Sequence, residues 1–303
     1  MQSIYAMHQN SSDDLTKQEK FLYFSLESGL DLYLTMLAAL LEIRTKEAEF
    51  IEKSKLKHLA TKEDKNPNTK FVDNAVLIFL SEHKGLSDVL EVRNINNWSM
   101  NDDYIYILLD HIKRSDLYKN YLENKTNSFE NDKAFIYQLF NEVIVPNEKL
   151  YEYLEDNKLT WIDDIPMVNT FISKQLKNIK EGKFESFSIP KLFKDTEDKE
   201  FVSLLFRKTV LNEEALTKEF IDKTVNWEIE RIAEIDTIIL KMAICEILKF
   251  PSIPTKVTIN EYLEIAKEYS TPKSSIFING ILDNLVKELQ LNDRLKKTGR
   301  GLM

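Results

Sequence analysis

The sequence contains few residues that break helices or form cross-links. Six glycines and seven prolines are spread over 303 residues, which leaves few of the tight turns that the hairpins of a β-sandwich or barrel require. Cys245 is the only cysteine, so no intramolecular disulfide can form, and a cytoplasmic location is expected. Apolar residues make up 43% of the chain, enough to bury one large core or two ordinary ones. The composition therefore predicts a folded, mostly helical protein.

Long hydrophobic runs are also missing. The most apolar stretch, 32–41, is about half the roughly 20 residues that span a bilayer. Residues 1–10 have neither the charged leader nor the apolar run of a signal peptide. We therefore expect no membrane association and no export.

The sequence lacks the motifs of common enzymes. It has no glycine-rich phosphate-binding loop of either common type, and its histidines, His8, His58, His83 and His111, are dispersed without metal-ligand spacing. Cys245 lies in an apolar helical pattern and is expected to be a small buried side chain rather than a nucleophile. No catalytic residue, metal site or cofactor is predicted.

The chain is acidic, and its charge is uneven. The net charge of −9 argues against a protein that coats nucleic acid generally, because such affinity comes from neutralised phosphates. Residues 241–303 hold ten Lys or Arg and seven Asp or Glu, a local charge of +3, which leaves −12 for residues 1–240. Any basic binding site must therefore be local.

Helical periodicity and polar breaks predict four segments. Apolar residues from Phe21 to Leu41 recur at three- and four-residue steps, which predicts one long helix to about Lys57. The polar run 60–70 and the irregular stretch 183–194 mark boundaries. The predicted segments are an N-terminal helical segment 1–60, an inserted or duplicated helical region 61–196, a C-terminal helical domain 197–291 and a basic tail 292–303. We expect the tail to be disordered, either adding non-specific RNA affinity or improving solubility.

One stretch of the sequence recurs 66 residues later. Positions 132–161 match positions 198–227 at nine of 30 positions. The matching apolar residues include Phe135, Leu139 and Phe140 in the first copy and Phe201, Leu205 and Phe206 in the second. Duplication of a helical unit would produce this match, and so would chance similarity between amphipathic helices.

The most regular periodicity lies in 226–289. An apolar stripe over 232–248 predicts an amphipathic helix with Asp236, Lys241 and Glu246 outside the apolar face. Thr258-Ile-Asn-Glu261 has the spacing of a capping box and predicts the start of a second helix.

The second helix is expected to run to about Tyr269, and a third follows over about 277–289. Gly280, inside the third helix, costs about 1 kcal/mol relative to alanine. It is therefore expected to permit close approach of another backbone or of a ligand.

Four sequence blocks in this region resemble the NusB family of transcription antitermination factors. The blocks are Trp227 with 231–236, 239–248, 253–261 with Ala266-Lys267, and 277–283. Met1-Gln-Ser-Ile-Tyr5 is similar to the end of the family's first helix. The resemblance implies a long form of the family, with an all-α, NusB-like bundle of two packed subdomains and additional inserted helices.

The resemblance also implies partners and a role without catalysis. Such a protein would bind a boxA-type single-stranded RNA together with the small-subunit ribosomal protein NusE. It would join the RNA polymerase antitermination complex and support transcription of ribosomal RNA.

The resemblance places candidate site residues in both parts of the family pattern. The candidates for RNA binding are Gln2, Tyr5, Lys241, Lys256, Lys273 and Phe277. Lysines could contact phosphates and the aromatic rings could stack on bases; solvated lysines and core aromatics are the alternatives. Asp236 stands where the family places an acidic residue facing its protein partner, and a surface helix charge is the alternative.

One departure from the family keeps a second function open. Family members usually carry an arginine-rich run just before the Gln-x-Leu-Tyr segment, and this sequence begins at Met1-Gln2. Either such a run is encoded upstream of Met1, or RNA is bound more weakly. The alternative function is a helical protein–protein scaffold that has lost RNA binding. A domain of an RNA methyltransferase is disfavoured, because no cofactor-binding strand–loop–helix pattern is present.

Overall fold

A computed structural model describes residues 1–12, 14–183, 187–223 and 232–302. Within these ranges all regular secondary structure is helical, which confirms the predicted all-α class. The α-helices are α1 (Gln2–Gln9), α2 (Leu15–Lys55), α3 (Lys62–Lys65), α4 (Ala75–Glu82), α5 (Lys84–Val92), α6 (Asn97–Met100), α7 (Asp102–Arg114), α8 (Asp116–Glu123), α9 (Phe129–Leu139), α10 (Glu148–Asn157), α11 (Leu159–Ile162), α12 (Ile165–Asn178), α13 (Thr196–Leu211), α14 (Glu213–Ile221), α15 (Glu234–Lys249), α16 (Thr255–Tyr269) and α17 (Ser274–Leu291). A π-helical turn covers Phe140–Ile144, and a 3₁₀ turn covers Gly299–Leu302. Trp227 and Arg231, from the first family block, lie outside the described residues.

The contacts divide the chain into two compact units. Unit 1 comprises Met1–Phe24 and Phe193–Met303, and unit 2 comprises Ser25–Leu192. The division between Leu192 and Phe193 lies close to the predicted boundary at 196, and the other division lies between Phe24 and Ser25. This other division lies inside α2, and not at the polar run 60–70, because the apolar side chains of α2 between Leu32 and Ile43 belong to the core of unit 2.

Helix α2 supplies the centre of unit 2, and its bounds confirm the predicted long helix. Its buried residues are Leu32, Tyr33, Leu34, Met36, Leu37, Ala39, Leu40 and Ile43, each at most 3% exposed. Since consecutive residues point in different directions around a helix, neighbours must surround α2 here. The indole N–H groups of Trp98 and Trp161 donate to the backbone carbonyls of Thr35 and Ser28, at 2.9 and 2.8 Å.

The same stretch of α2 passes the length and composition test for a membrane-spanning helix. However, 56% of its apolar window is buried inside the protein. A core helix needs the same apolar residues as a membrane span. The packing of α2 in the core of unit 2 accounts for them.

The residues of the internal sequence match are buried in both units. Phe135, Leu139 and Phe140 are at most 3% exposed in unit 2, and Leu205 and Phe206 are at most 8% exposed in unit 1. Both copies therefore place the matched apolar residues in a core, as duplication would. The duplication itself stays a prediction.

Helix α15 is the central helix of unit 1. Helices α1, α13, α14, α16 and α17 all pack against it, so it has no solvated face. Its apolar residues Ile238, Ile239, Leu240, Ala243, Ile244 and Cys245 are fully buried. The predicted burial of Cys245 is confirmed, and burial raises the pKa of its thiol.

The predicted capping box at Thr258 is wrong. Helix α16 begins at Thr255, three residues earlier, after Pro254 as N-cap. Thr258 is therefore inside the helix and fully buried, and its hydroxyl donates to Glu246 Oε1 at 2.7 Å. The Thr-x-x-Glu spacing therefore does not mark a capping box here. Thr258 makes a hydrogen bond in the core, and Glu261 is an exposed charge on the surface. The predicted end of the helix at Tyr269 is confirmed.

The predicted disorder of the tail is also wrong for the residues up to 302. Lys297 Nζ donates to the carbonyl oxygen of Phe250 at 3.1 Å, and the Thr298 amide donates to the carbonyl of Pro251 at 3.0 Å. Gly301 is buried, and a Cβ there would overlap the Pro251 carbonyl oxygen. The tail therefore packs on the loop that follows α15, at a position where only glycine fits.

Candidate nucleic-acid interface

Three polar residues predicted outside the apolar face of α15 are buried. Asp236 is 6% exposed, Lys241 9% and Glu246 6%. The prediction that they lie on a polar surface is wrong, because five helices cover α15 on all sides. Each side chain instead has a partner on a neighbouring helix or turn, as a buried charge requires.

Asp236 holds the turn between α16 and α17. Its two carboxylate oxygens accept hydrogen bonds from the hydroxyls of Ser270, at 2.6 Å, and Ser274, at 2.7 Å. Lys273, a predicted RNA contact, lies inside this turn. A carboxylate that is 6% exposed presents little surface to a protein partner, so the structure gives Asp236 a positioning role for the α17 N-terminus.

Lys241 pairs with Glu213. Its Nζ lies 2.7 Å from Glu213 Oε2, and the side chain of Lys241 is 11% exposed. His8 Nε2, on α1, lies 2.8 Å from Glu213 Oε1. Burial would raise the pKa of Glu213, but the hydrogen bonds from Lys241 and His8 outweigh it and lower that pKa. The ammonium group of Lys241 is thus paired inside unit 1. Because Glu213 also bonds to His8, this pair helps to hold α1 in place.

Glu246 is the second buried carboxylate of the helix. It accepts hydrogen bonds from the hydroxyls of Thr258 and, at 3.2 Å, Tyr262. Burial raises the pKa of Glu246, and these two hydrogen bonds oppose the rise. The residue joins α15 to α16 and has no access to a ligand.

One face of α17 forms the wall of an open groove, which we call the α17 groove. The groove has a volume of 520 Å³, and the residues that line it are Lys223, Lys273, Ile276, Phe277, Gly280, Ile281 and Asn284. Lys273, Phe277, Gly280 and Asn284 are spaced by three or four residues, so they lie on one side of the helix. The structure therefore brings together two of the predicted RNA contacts, Lys273 and Phe277.

The chemistry of the α17 groove suits an anionic, partly aromatic ligand. No carboxylate is among the described residues that line it. Lys273 is exposed, Phe277 is half-buried and Ile276 is 75% exposed. Lys223 is already paired, since its Nζ lies 2.8 Å from Glu288 Oε2. Of the two lysines that line the groove in the described part of the chain, Lys273 is thus the one available to a ligand.

Gly280 leaves the middle of this groove open. Outside its own helix, no heavy atom of the described residues lies within 4 Å of the position that a Cβ would occupy. The prediction that another backbone approaches Gly280 is therefore wrong within this part of the chain. The other predicted reason, room for a ligand, stays a prediction.

The remaining predicted contacts lie elsewhere in unit 1. Lys256 is exposed in the first turn of α16. Gln2 and Tyr5 lie on α1, where Tyr5 is 37% exposed, while Ile4 and Met7 are buried against Phe206 and Ile238.

Sequence reasoning missed Lys223, Ile276 and Asn284. The three- and four-residue spacing from Lys273 and Gly280 could have identified Ile276 and Asn284. No sequence signal identifies Lys223, which a different helix brings to the groove. Among the described residues, no group of three or more His, Cys, Asp or Glu side chains is placed to hold a metal ion.

Comparison with known proteins identifies the family. The NusB family model matches residues 167–287, which include all of α13 to α16 and most of α17. A transcription antitermination protein NusB from Salinibacter ruber is 47% identical over 113 residues, which cover 37% of this chain and 70% of the relative. This chain belongs to the NusB family. The predicted resemblance is confirmed, and the match begins 60 residues before Trp227, where the first sequence block starts.

Two further NusB relatives match shorter parts. The transcription antitermination protein NusB of Chloroherpeton thalassium is 40% identical over 109 residues, 36% of this chain and 52% of the relative. That of Natranaerobius thermophilus is 51% identical over 72 residues, 23% of this chain and 52% of the relative. The match thus covers about half the length of each of these two relatives. No solved structure matches the chain.

Proposed function

We propose that this NusB-family chain is an RNA-binding transcription antitermination factor that acts in the cytoplasm without catalysis. It holds a boxA-type single-stranded RNA together with the ribosomal protein NusE, within the RNA polymerase antitermination complex, and supports transcription of ribosomal RNA. The observation that carries the RNA-binding part is the α17 groove. It lies inside the family match and combines an unpaired lysine with a half-buried ring, without a carboxylate among its described lining residues.

The proposed binding mode follows from these residues. Lys273 contacts a phosphate, which adds sequence-independent affinity. Phe277 offers a ring edge or face to a splayed base, and such stacking contributes about 1–3 kcal/mol. Gly280 lets the base or sugar come close to the helix backbone. Lys256, Gln2 and Tyr5 remain proposed contacts outside the groove.

The test of this function measures retention of boxA RNA by the protein together with NusE, over a range of salt concentrations. We expect Lys273→Gln to weaken retention and to reduce the slope of log K against log salt by about 0.7, the value for one phosphate contact with a single strand. Lys287→Gln, an exposed lysine on the same helix outside the groove, is the matched control. Equal retention of a scrambled RNA would contradict the sequence-specific function.

Replacing Gly280 by leucine separates binding from folding. The residue lies in a helix with open space around it, so a side chain there should stabilise α17 by up to about 1 kcal/mol. The same side chain would fill the middle of the groove. We therefore expect Gly280→Leu to raise the midpoint of thermal unfolding while lowering RNA affinity at least tenfold. A variant that binds RNA as well as the unmodified protein would show that the groove is not used.

The alternative function is a protein–protein scaffold with a NusB fold. The net charge of −9 favours it, because a strongly acidic surface repels phosphates at a distance. If this alternative holds, the protein would bind NusE without increasing the retention of boxA RNA, and Lys273→Gln would leave that retention unchanged.

A further inference from the structure

Unit 2 has an open groove of its own at the C-terminal part of α12, which we call the α12 groove. Its volume is 530 Å³, and the residues that line it are Phe171, Lys174, Gln175, Asn178, Ile179, Lys180, Lys183 and Phe187. Three lysines and two side-chain amides thus border an apolar floor, without a carboxylate among the described residues that line it. In a protein with a net charge of −9, this is a locally positive surface.

Two of these lysines have no partner to neutralise them. Lys174 and Lys180 are exposed, and their ammonium groups make no hydrogen bond or ion pair within the described ranges. Several other lysines of unit 2 are paired with carboxylates. Lys113, for example, lies 2.7 Å from Glu47 Oε2, and Lys158 lies 3.3 Å from Asp31 Oδ2. The positive charge of the α12 groove is therefore available to an anionic ligand.

An aromatic ring stands beside these lysines. Phe171 is 41% exposed. Its ring packs edge-to-face against the ring of Tyr33, with the two centroids 5.6 Å apart. The hydroxyl of Tyr33 donates to Gln175 Oε1 at 2.8 Å. The ring is thus fixed in orientation while part of it faces solvent, which suits stacking by a nucleic-acid base.

The α12 groove has the same composition as the α17 groove. Each combines lysine, a partly exposed phenylalanine, a side-chain amide and isoleucine, with no carboxylate among the described residues that line it. In each, a lysine lies about one helical turn from the phenylalanine: Lys273 and Phe277 in unit 1, Phe171 and Lys174 in unit 2. Lysine beside an aromatic ring matches the phosphate and the base of a single-stranded nucleotide.

We infer that the α12 groove is a second binding site for single-stranded RNA, with Lys174 and Lys180 on phosphates and Phe171 stacked on a base. The inference extends the proposed function, since the ligand belongs to the same class of RNA. It gives part of the region 61–196 a role.

The test uses the full chain and a single-stranded oligouridylate that carries 4-thiouridine, with cross-linked peptides identified by mass spectrometry. We expect cross-links to peptides from 171–180. The double variant Lys174→Gln/Lys180→Gln should reduce them at least tenfold and lower the slope of log K against log salt by about 1.4, for two phosphate contacts. The matched control Lys53→Gln/Lys55→Gln removes the same charge from the end of α2 and should leave them unchanged.

The outcomes separate this inference from the proposed function. Cross-links that occur at 273–284 and not at 171–180 would overturn the second site and leave the proposed function standing. Cross-links at 171–180 that persist in Lys273→Gln, without any at 273–284, would support the second site and contradict the α17 groove. Displacement of the oligouridylate from 171–180 by polyglutamate at equal charge concentration would indicate an acidic protein partner and overturn the RNA assignment.

Discussion

Replacing Asp236 by alanine is expected to destabilise unit 1 by about 3 kcal/mol. The substitution removes the buried carboxylate that accepts hydrogen bonds from Ser270 and Ser274. Hydrogen bonds to a charged group contribute about 1.5–3 kcal/mol each, and a buried hydroxyl without a partner costs about 1–3 kcal/mol. We expect peptides from the turn between α16 and α17 to exchange amide hydrogens faster, which mass spectrometry would measure.

Asp236→Asn is the control for this prediction. Asparagine keeps the size of the side chain and one acceptor oxygen, so we expect it to lose about half as much stability. Because the turn carries Lys273, Asp236→Ala should also weaken RNA retention. If Asp236 only contacted a protein partner, its replacement would leave the hydrogen exchange of this turn unchanged. Unchanged exchange in Asp236→Ala would contradict the positioning role.

Replacing Lys113 by methionine is expected to destabilise unit 2 by about 3–5 kcal/mol. The side chain of Glu47 is 5% exposed, and both of its carboxylate oxygens accept hydrogen bonds from Lys113 Nζ, at 3.0 and 2.7 Å. Tyr118 keeps its proton as a further donor to Glu47, because burial and then the negative charge of Glu47 raise its pKa. Without Lys113 the carboxylate of Glu47 stays buried with no cation beside it. Removing one partner of a buried pair costs more stability than replacing both partners with apolar residues. Chemical denaturation followed by circular dichroism would measure the loss.

A double substitution tests the physical reason. Glu47→Leu with Lys113→Met removes both charges and leaves apolar groups of similar size, a change that is often close to neutral. We therefore expect the double variant to be more stable than Lys113→Met alone. If both variants lost the same stability, the loss would come from the contact of the Lys113 ammonium group with the Phe50 ring, whose centroid lies 4.0 Å from Nζ, and not from the unpaired carboxylate.

Local patterns predicted the helices well. The long apolar repeat of α2, the end of α16 at Tyr269 and the helix that follows it all agree with the structure. The family blocks were also visible in the sequence, because they are runs of adjacent residues. Such features depend on residues within a few turns of each other, which a linear pattern records directly.

The errors on α15 and α16 concern which neighbours surround a helix. Asp236, Lys241 and Glu246 looked solvated because they interrupt an apolar stripe, and the structure covers them with five other helices. Thr258 looked like a cap because its spacing from Glu261 fits one, and its partner proved to be Glu246 on the preceding helix. The periodicity of a sequence shows in which direction each side chain points around one helix axis. It carries no information on which other residues pack against that side chain.

The sequence by itself determined that this protein is all-α, that it belongs to the NusB family, and that Phe277 lies near the start of a helix preceded by a turn that contains Lys273. Only the tertiary structure decided which charges are available to a ligand. It pairs Lys241 with Glu213, packs the basic tail on the Pro251 loop, and places Lys174 and Lys180 beside Phe171 in a groove whose described lining residues include no carboxylate. The reason is physical: periodicity is a local property, whereas the pairing of a charge depends on residues brought together from distant parts of the chain.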